Sequence, residues 1–278
     1  PGTAFNIING ANGTNMSGIY LHNTQFWISG VSNVVINNIS AVVEDQRVGS
    51  GVGQTSIRNN ATNITLKNSF IYTRNNGGSS SVVIAWADYC TIENNTIQGE
   101  GNVGNLFYLT TYNVNLEIPN GTIVNSNNKF INNHIIGPQI ASNICGGIYV
   151  CGSNNTIANN IVDTKGVGLT TQWGTNLVIE NYTIENNTFN QGASISAASI
   201  RKSVYRNNTV TTGRTIIRDS VAENNKFLGS CTITNCNLTN NTIKGALTIS
   251  NSSNVTGNSL ETLYITSTSS KDNVIENN

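Results

Sequence analysis

The chain has 278 residues with 14 basic and 14 acidic side chains, a formal net charge of zero, and 10% charged residues in all. No Lys/Arg cluster exists to grip nucleic-acid phosphates, and no apolar run approaches membrane-spanning length. Asn supplies 50 residues; it competes with helical hydrogen bonding and tolerates left-handed backbone, which disfavours helices and favours repeated turns.

Taken in chain order, one motif recurs: an apolar residue, any residue, Asn-Asn, any residue, an apolar residue. It is loose at Asn37-Asn38 and Asn68, then clear at Ile92-Glu93-Asn94-Asn95-Thr96-Ile97 and Phe130-Ile131-Asn132-Asn133-His134-Ile135. It returns around Asn159-Asn160, Asn186-Asn187, Asn207-Asn208, Asn224-Asn225 and Asn240-Asn241, with truncated copies at Asn258 and Asn277-Asn278. Each interval carries three short strand signals. Gly147-Ile148-Tyr149-Val150-Cys151 and Thr156-Ile157-Ala158-Asn159 are separated by Gly152-Ser153-Asn154, and Ile161-Val162 follows a bend at Asn160.

A fixed core joined by loops of changing length defines a solenoid. The predicted fold is an all-β, right-handed, single-stranded parallel β-helix of about 11 coils, on the order of 50 Å long at about 4.8 Å per coil. The chain reads as a single domain over 1–278, with wide, long-loop coils over about 1–190 and narrow coils over about 191–278, so the rod tapers. It ends within a repeat, as a segment of a larger chain would.

Period-2 alternation turns Ile148, Val150, Ile157 and Asn159 inward, and Tyr149 and Ala158 outward. In each pair one Asn is expected to face the interior and stack on its equivalents, while the other takes the bend. The inward ladder is read as Asn94, Asn132, Asn159, Asn186, Asn207, Asn224 and Asn240; a buried amide is costly unless paired, and stacking pairs it. Cys145 with Cys151, or Cys231 with Cys236, has the spacing to bridge a corner; free thiols in a strand stack are the other reading.

The coil from Gly147 to Asn160 resembles the parallel β-helix repeat of pectate-lyase-like, carbohydrate-binding and sugar-hydrolase proteins. Its Asn-rich, sequon-dense form is similar to the adhesin-like surface proteins of methanogenic archaea. The resemblance implies a large secreted protein displayed at the cell surface or envelope. Fifteen Asn-x-Ser/Thr sequons are present, and turn positions Asn12, Asn60, Asn120, Asn181 and Asn251 are the glycan candidates. Asn94, Asn186, Asn207 and Asn240, read as inward, are not.

Carboxylates off the Asn corner are sparse. Glu44, Asp45 and Asp88 are the best enzyme candidates, whereas glycoside hydrolysis needs two carboxylates facing one bond. His22 and His134 are isolated, with His134 an outward neighbour of the corner, and no metal or cofactor site can be assembled from spacing. Tyr20, Trp27, Trp86, Tyr108, Tyr149 and Trp173 fall on or just after first-strand segments, as a sugar-binding platform would. The leading expectation is a non-catalytic surface adhesin or stalk segment binding an extracellular glycan or a partner-cell surface, without membrane insertion and open to end-to-end self-association. A polysaccharide lyase or glycosidase, and a purely structural spacer, are the alternatives.

Overall fold

The computed structural model describes all residues except 1–2, 45–53, 76–79, 102–104, 111–124, 138–145, 172–178, 191–193, 197–199 and 266–272. Every described strand pairs in parallel with the strand one turn away. In a representative turn, Gly146–Val150 forms the first face, Thr156–Ala158 the second and Ile161–Asp163 the third, and Val167–Thr171 opens the next turn. Pairings such as Ile148↔Leu169, Ile157↔Ile184 and Val162↔Phe189 stack equivalent residues without slippage. The architecture is the predicted parallel β-helix. Among the described residues no helix is long and apolar enough to cross a membrane.

The second face contains twelve strands; the first and third merge into a 21-stranded sheet through the long strands Thr242–Ser250 and Ser259–Ile265. The earliest second-face strand, Asn15–Ser17, runs into Gly18-Ile19 instead of an Asn pair, so counting pairs passes over it.

The core is built from inward columns. On the second face Ile36, Leu66, Ile92, Phe130, Ile157, Ile184 and Tyr205 succeed one another, all buried. Each such side chain is worth about 1.5–3 kcal/mol of burial. Between faces, the rings of Phe107 and Phe130 stack with centroids 3.9 Å apart.

The Asn ladder exists, but its members are the second residue of each pair. Asn94, Asn132, Asn159, Asn186, Asn207, Asn224 and Asn240 all have φ between 54° and 56° or at 55°, and their side chains are exposed. Asn95, Asn133, Asn160, Asn187, Asn208, Asn225 and Asn241 are buried instead. The left-handed residue bends the chain at the corner and shifts the alternation carried in from the preceding strand; a strict period-2 count across that bend misassigns both residues. In the two turns before the ladder, Asn38 and Asn68 hold the left-handed position, and Ile39 and Ser69 point inward.

Stacking satisfies each buried amide completely. Asn160 Nδ2 donates to Asn187 Oδ1 at 3.0 Å and to the Phe130 carbonyl at 2.9 Å. Its Oδ1 accepts from the backbone N–H and Nδ2 of Asn133 at 2.9 and 3.1 Å. The corner between first and second faces repeats this logic with other residues: Cys90 N–H donates to Asn128 Oδ1, Asn128 N–H to Asn155 Oδ1, and Tyr182 N–H to Ser203 Oγ. Cys231 and Cys236 are buried free thiols and form no bridge, as are Cys90 and Cys151; Cys145 lies outside the described residues.

Candidate functional site

The described residues among those expected to form an aromatic platform on the first face do not share one open surface. Trp27, Ser56, Val83, Tyr108 and Tyr149 do align in one outward register column. However, Ser56, Val83 and Tyr149 in that column are buried. The Arg58 guanidinium covers the Trp27 ring at 3.9 Å, and burial lowers its pKa. Tyr108 and Tyr149 pack edge to face against each other at 4.6 Å. Trp86 occupies a turn with φ 57°, Trp173 lies outside the described residues, and Tyr20 stands on the third face.

The two described carboxylate candidates, Glu44 and Asp88, likewise do not converge. Glu44 pairs with His22 at 3.2 Å beside the third face. Asp88 accepts the Ser126 N–H at 2.6 Å in a turn between the first and second faces. Asp45 lies outside the described residues. Among the described residues no group of three or more His, Cys, Asp and Glu is placed to hold a metal ion.

Among the described residues an open aromatic surface lies on the third face. Immediately after each inward corner residue, an outward column begins, and in the first turns it carries Tyr20, Ser40, Phe70 and Thr96. Tyr20 is 64% exposed and Phe70 37%. Each ring has an aromatic neighbour two residues along its own strand: Tyr20 lies near-parallel to His22 (14°, 6.1 Å), and Phe70 to Tyr72 (17°, 6.4 Å). These strands are short and alternate around inward Leu21 and Ile71, which is why both rings of each pair emerge on one side.

Beside this column the corner asparagines Asn38, Asn68 and Asn94 expose their side chains, as the left-handed backbone requires. Corner and column together enclose a shallow groove of about 550 Å³. Its lining comprises the two aromatic rings, the three amides, hydroxyl residues Ser40, Ser69 and Thr96, Gly18 and two isoleucines, with no charged residue.

Charge flanks the column on both sides: Lys67 and Glu93 sit in register just before the corner, and ion pairs lie past the far edge. Besides His22–Glu44, Arg74 approaches Glu100 at 3.9 Å, and the Tyr72 hydroxyl donates to the Glu100 carboxylate. Partial burial, together with that hydrogen bond and the carboxylate charge, pushes the Tyr72 phenol up to about 12, so it remains a donor at neutral pH. Further along the same face His134, which is an outward neighbour of the corner, is held by Asp163 at 2.7 Å. Asp163 also accepts from Asn190 Nδ2 at 2.8 Å.

The sequence alone does not single out Phe70 and Tyr72, and it leaves His22 isolated. Their signal was the aromatic-x-aromatic spacing around a single apolar residue, placed just after a corner. Of the glycan candidates, Asn12, Asn60 and Asn181 are exposed, Asn251 is half-buried, and Asn120 lies outside the described residues. The supposedly inward sequons Asn94, Asn186, Asn207 and Asn240 are exposed at corners.

Comparison with protein families and with curated proteins finds no match. Solved structures similar to the chain include the catalytic domain of a GH87 alpha-1,3-glucanase in complex with nigerose, at 14% identity and a TM-score of 0.42. That match covers 98% of this chain and 58% of the other. The catalytic unit of a thermostable GH87 alpha-1,3-glucanase from Streptomyces thermodiastaticus strain HF3-3 is similar at 13% identity and a TM-score of 0.39, over 99% of this chain and 60% of the other. The chain thus spans about three fifths of the length of these structures.

Proposed function

We propose that this chain is a non-catalytic solenoid segment of a cell-surface protein that binds a neutral saccharide in the third-face groove. The observation that carries the reading is the groove's lining: exposed rings and uncharged hydrogen-bonding groups, without an ionic side chain. Pyranoses present C–H faces that pack on aromatic faces and hydroxyls that both donate and accept, which primary amides answer with both functions. The continuous backbone pairing suits a stiff stalk, and sequons exposed at the corners suit a protein outside the cell.

The test is calorimetric titration of the chain with neutral oligosaccharides chosen from a glycan array. Tyr20→Ala and Phe70→Ala each remove one stacking surface and are expected to weaken binding about tenfold, equivalent to about 1.4 kcal/mol. Both side chains point outward, so circular dichroism is expected to stay unchanged. A silent array would remove the reading. Release of reducing sugars or unsaturated products from a polysaccharide would replace it with an enzyme.

A further inference from the structure

The outward column of the third face carries a pattern beyond the groove itself. In register, turn by turn, it reads Tyr20, Ser40, Phe70, Thr96, His134. Rings occupy the first, third and fifth turns, and hydroxyl side chains the second and fourth. Adjacent strands lie about 4.8 Å apart, so successive rings recur at about 9.6 Å along the solenoid axis. The first two rings are also disposed alike, since Tyr20 with His22 and Phe70 with Tyr72 form near-parallel pairs of almost equal separation. His134 is fixed at the far end by Asp163 while its side chain stays 42% exposed. The groove thus forms the first part of a longer track.

Resting on the reading of this face as saccharide-binding, we infer that the track takes a β-1,4-linked neutral pyranose chain laid along the solenoid axis. In such a flat two-fold ribbon each sugar is turned over relative to the last, so the same ring face recurs at every second residue. A residue advances the ribbon by nearly one turn of the solenoid. Sugars one, three and five would then meet Tyr20, Phe70 and His134 with equivalent faces. Sugars two and four would pass Ser40 and Thr96, whose hydroxyls exchange hydrogen bonds with the ribbon's edge. Helical glycans, such as α-1,4- or β-1,3-linked chains, curve away within a few residues and offer no repeat at two turns. The uncharged lining fits a ribbon without uronates.

The experiment is titration of the chain with cello-oligosaccharides of two to six residues, with maltohexaose, laminarihexaose and nigerose-type oligomers in parallel. Affinity is expected to rise up to five residues and to favour cellohexaose at least tenfold over the other linkages. His134→Ala should remove the gain from the fourth and fifth residues, while cellotriose keeps the register that spans Tyr20 and Phe70. A register variant, Ser40→Phe combined with Phe70→Ser, keeps the number of rings but shifts one of them to the turn next to Tyr20. It is expected to lose cellohexaose at least tenfold. Equal binding of all linkages, or full affinity in the register variant, overturns the ribbon while the saccharide reading stands. Absence of binding to every oligosaccharide overturns both. Should the register variant not fold, the length series and His134→Ala decide.

Discussion

Asn133 gives Asn160 two hydrogen bonds across one turn, from its backbone N–H at 2.9 Å and from its side-chain amide at 3.1 Å, both to the same oxygen. Asn159, adjacent in sequence, makes the left-handed bend at φ 56° and exposes its side chain. The two residues of a pair therefore have opposite sensitivities. Asn160→Ala strands the Asn133 backbone N–H in the core, removes one acceptor of the Asn133 side-chain amide and the amide donor to the Phe130 carbonyl, and leaves a cavity in the ladder. Leaving buried groups unsatisfied costs about 1–3 kcal/mol each before relaxation, so a loss of about 2–4 kcal/mol is expected. Asn159→Gly keeps the bend and should change stability by less than about 0.5 kcal/mol, while Asn159→Ala should cost about 1–2 kcal/mol of left-handed strain. Urea unfolding of the three variants checks this ranking; equal losses at both positions would contradict the ladder.

Narrow turns depend on a different device. A Cβ on Gly229 would lie 2.1 Å from the Gly213 carbonyl oxygen, and one on Gly245 would lie 2.7 Å from the Gly229 carbonyl carbon. These glycines stack backbone directly on backbone where wider turns carry loops, and ladder residues there are only 16 or 17 residues apart. Gly229→Ala forces the turns apart and is expected to cost about 3 kcal/mol, at the upper end of overpacking penalties. Gly13→Ala meets open space and suffers only from φ +76°, so its cost should stay near 1–2 kcal/mol. Thermal melts of both variants separate crowding from strain.

These two devices show where sequence was informative. The ladder appears as a repeated letter pair because one amide chemistry serves nine successive turns, from Asn95 to Asn278. The opposite corner does the same work with Cys90, Asn128, Asn155, Ser203 and Ser220, and mixed residue types hide it. Face assignment failed at Asn159 because a left-handed residue resets the alternation. Sequence spacing points to the first face for a binding surface, because it sets all three Trp on or just after first-strand segments, yet Trp27 is capped by Arg58. The third-face column needs register, and register across loops of unequal length is not written in any local spacing.

The buried thiols make an alkaline limit. Burial pushes Cys90 and Cys151 up to about 12, with hydrogen bonding only partly opposing it, and raises Cys231 and Cys236 as well. Below the ordinary thiol value both folded and unfolded chains are protonated, and the full stability is present. Above it the unfolded chain ionises first, so stability falls as pH rises toward the folded value, by about 1.4 kcal/mol per pH unit for each thiol. In a Cys145→Ser background, Ellman's reagent should find no reactive thiol in the native chain at pH 8 and four after unfolding. Cys151→Ala should flatten the loss of stability between pH 9 and 11. Rapid native labelling would show that the four are not sealed in the core.

Sequons and groove meet at Asn38 and Asn94. Both begin an Asn-x-Ser/Thr sequence, both are exposed at left-handed corners, and both line the groove beside Tyr20 and Phe70. A glycan on either nitrogen would place its first sugar over the rings that a free saccharide needs. Asn186 and Asn207 occupy the same corner three or more turns farther on, outside the groove lining. Chain made in a glycosylating host and modified at Asn38 or Asn94 is therefore expected to lose saccharide binding, while modification at Asn186 or Asn207 leaves it intact. Peptide mapping after enzymatic deglycosylation assigns the occupied sites, and titration of the separated glycoforms reads the effect. Asn38→Gln with Asn94→Gln should restore binding, because the amides are lengthened but not removed. If glycans at all four positions leave affinity unchanged, the saccharide does not bind along this corner.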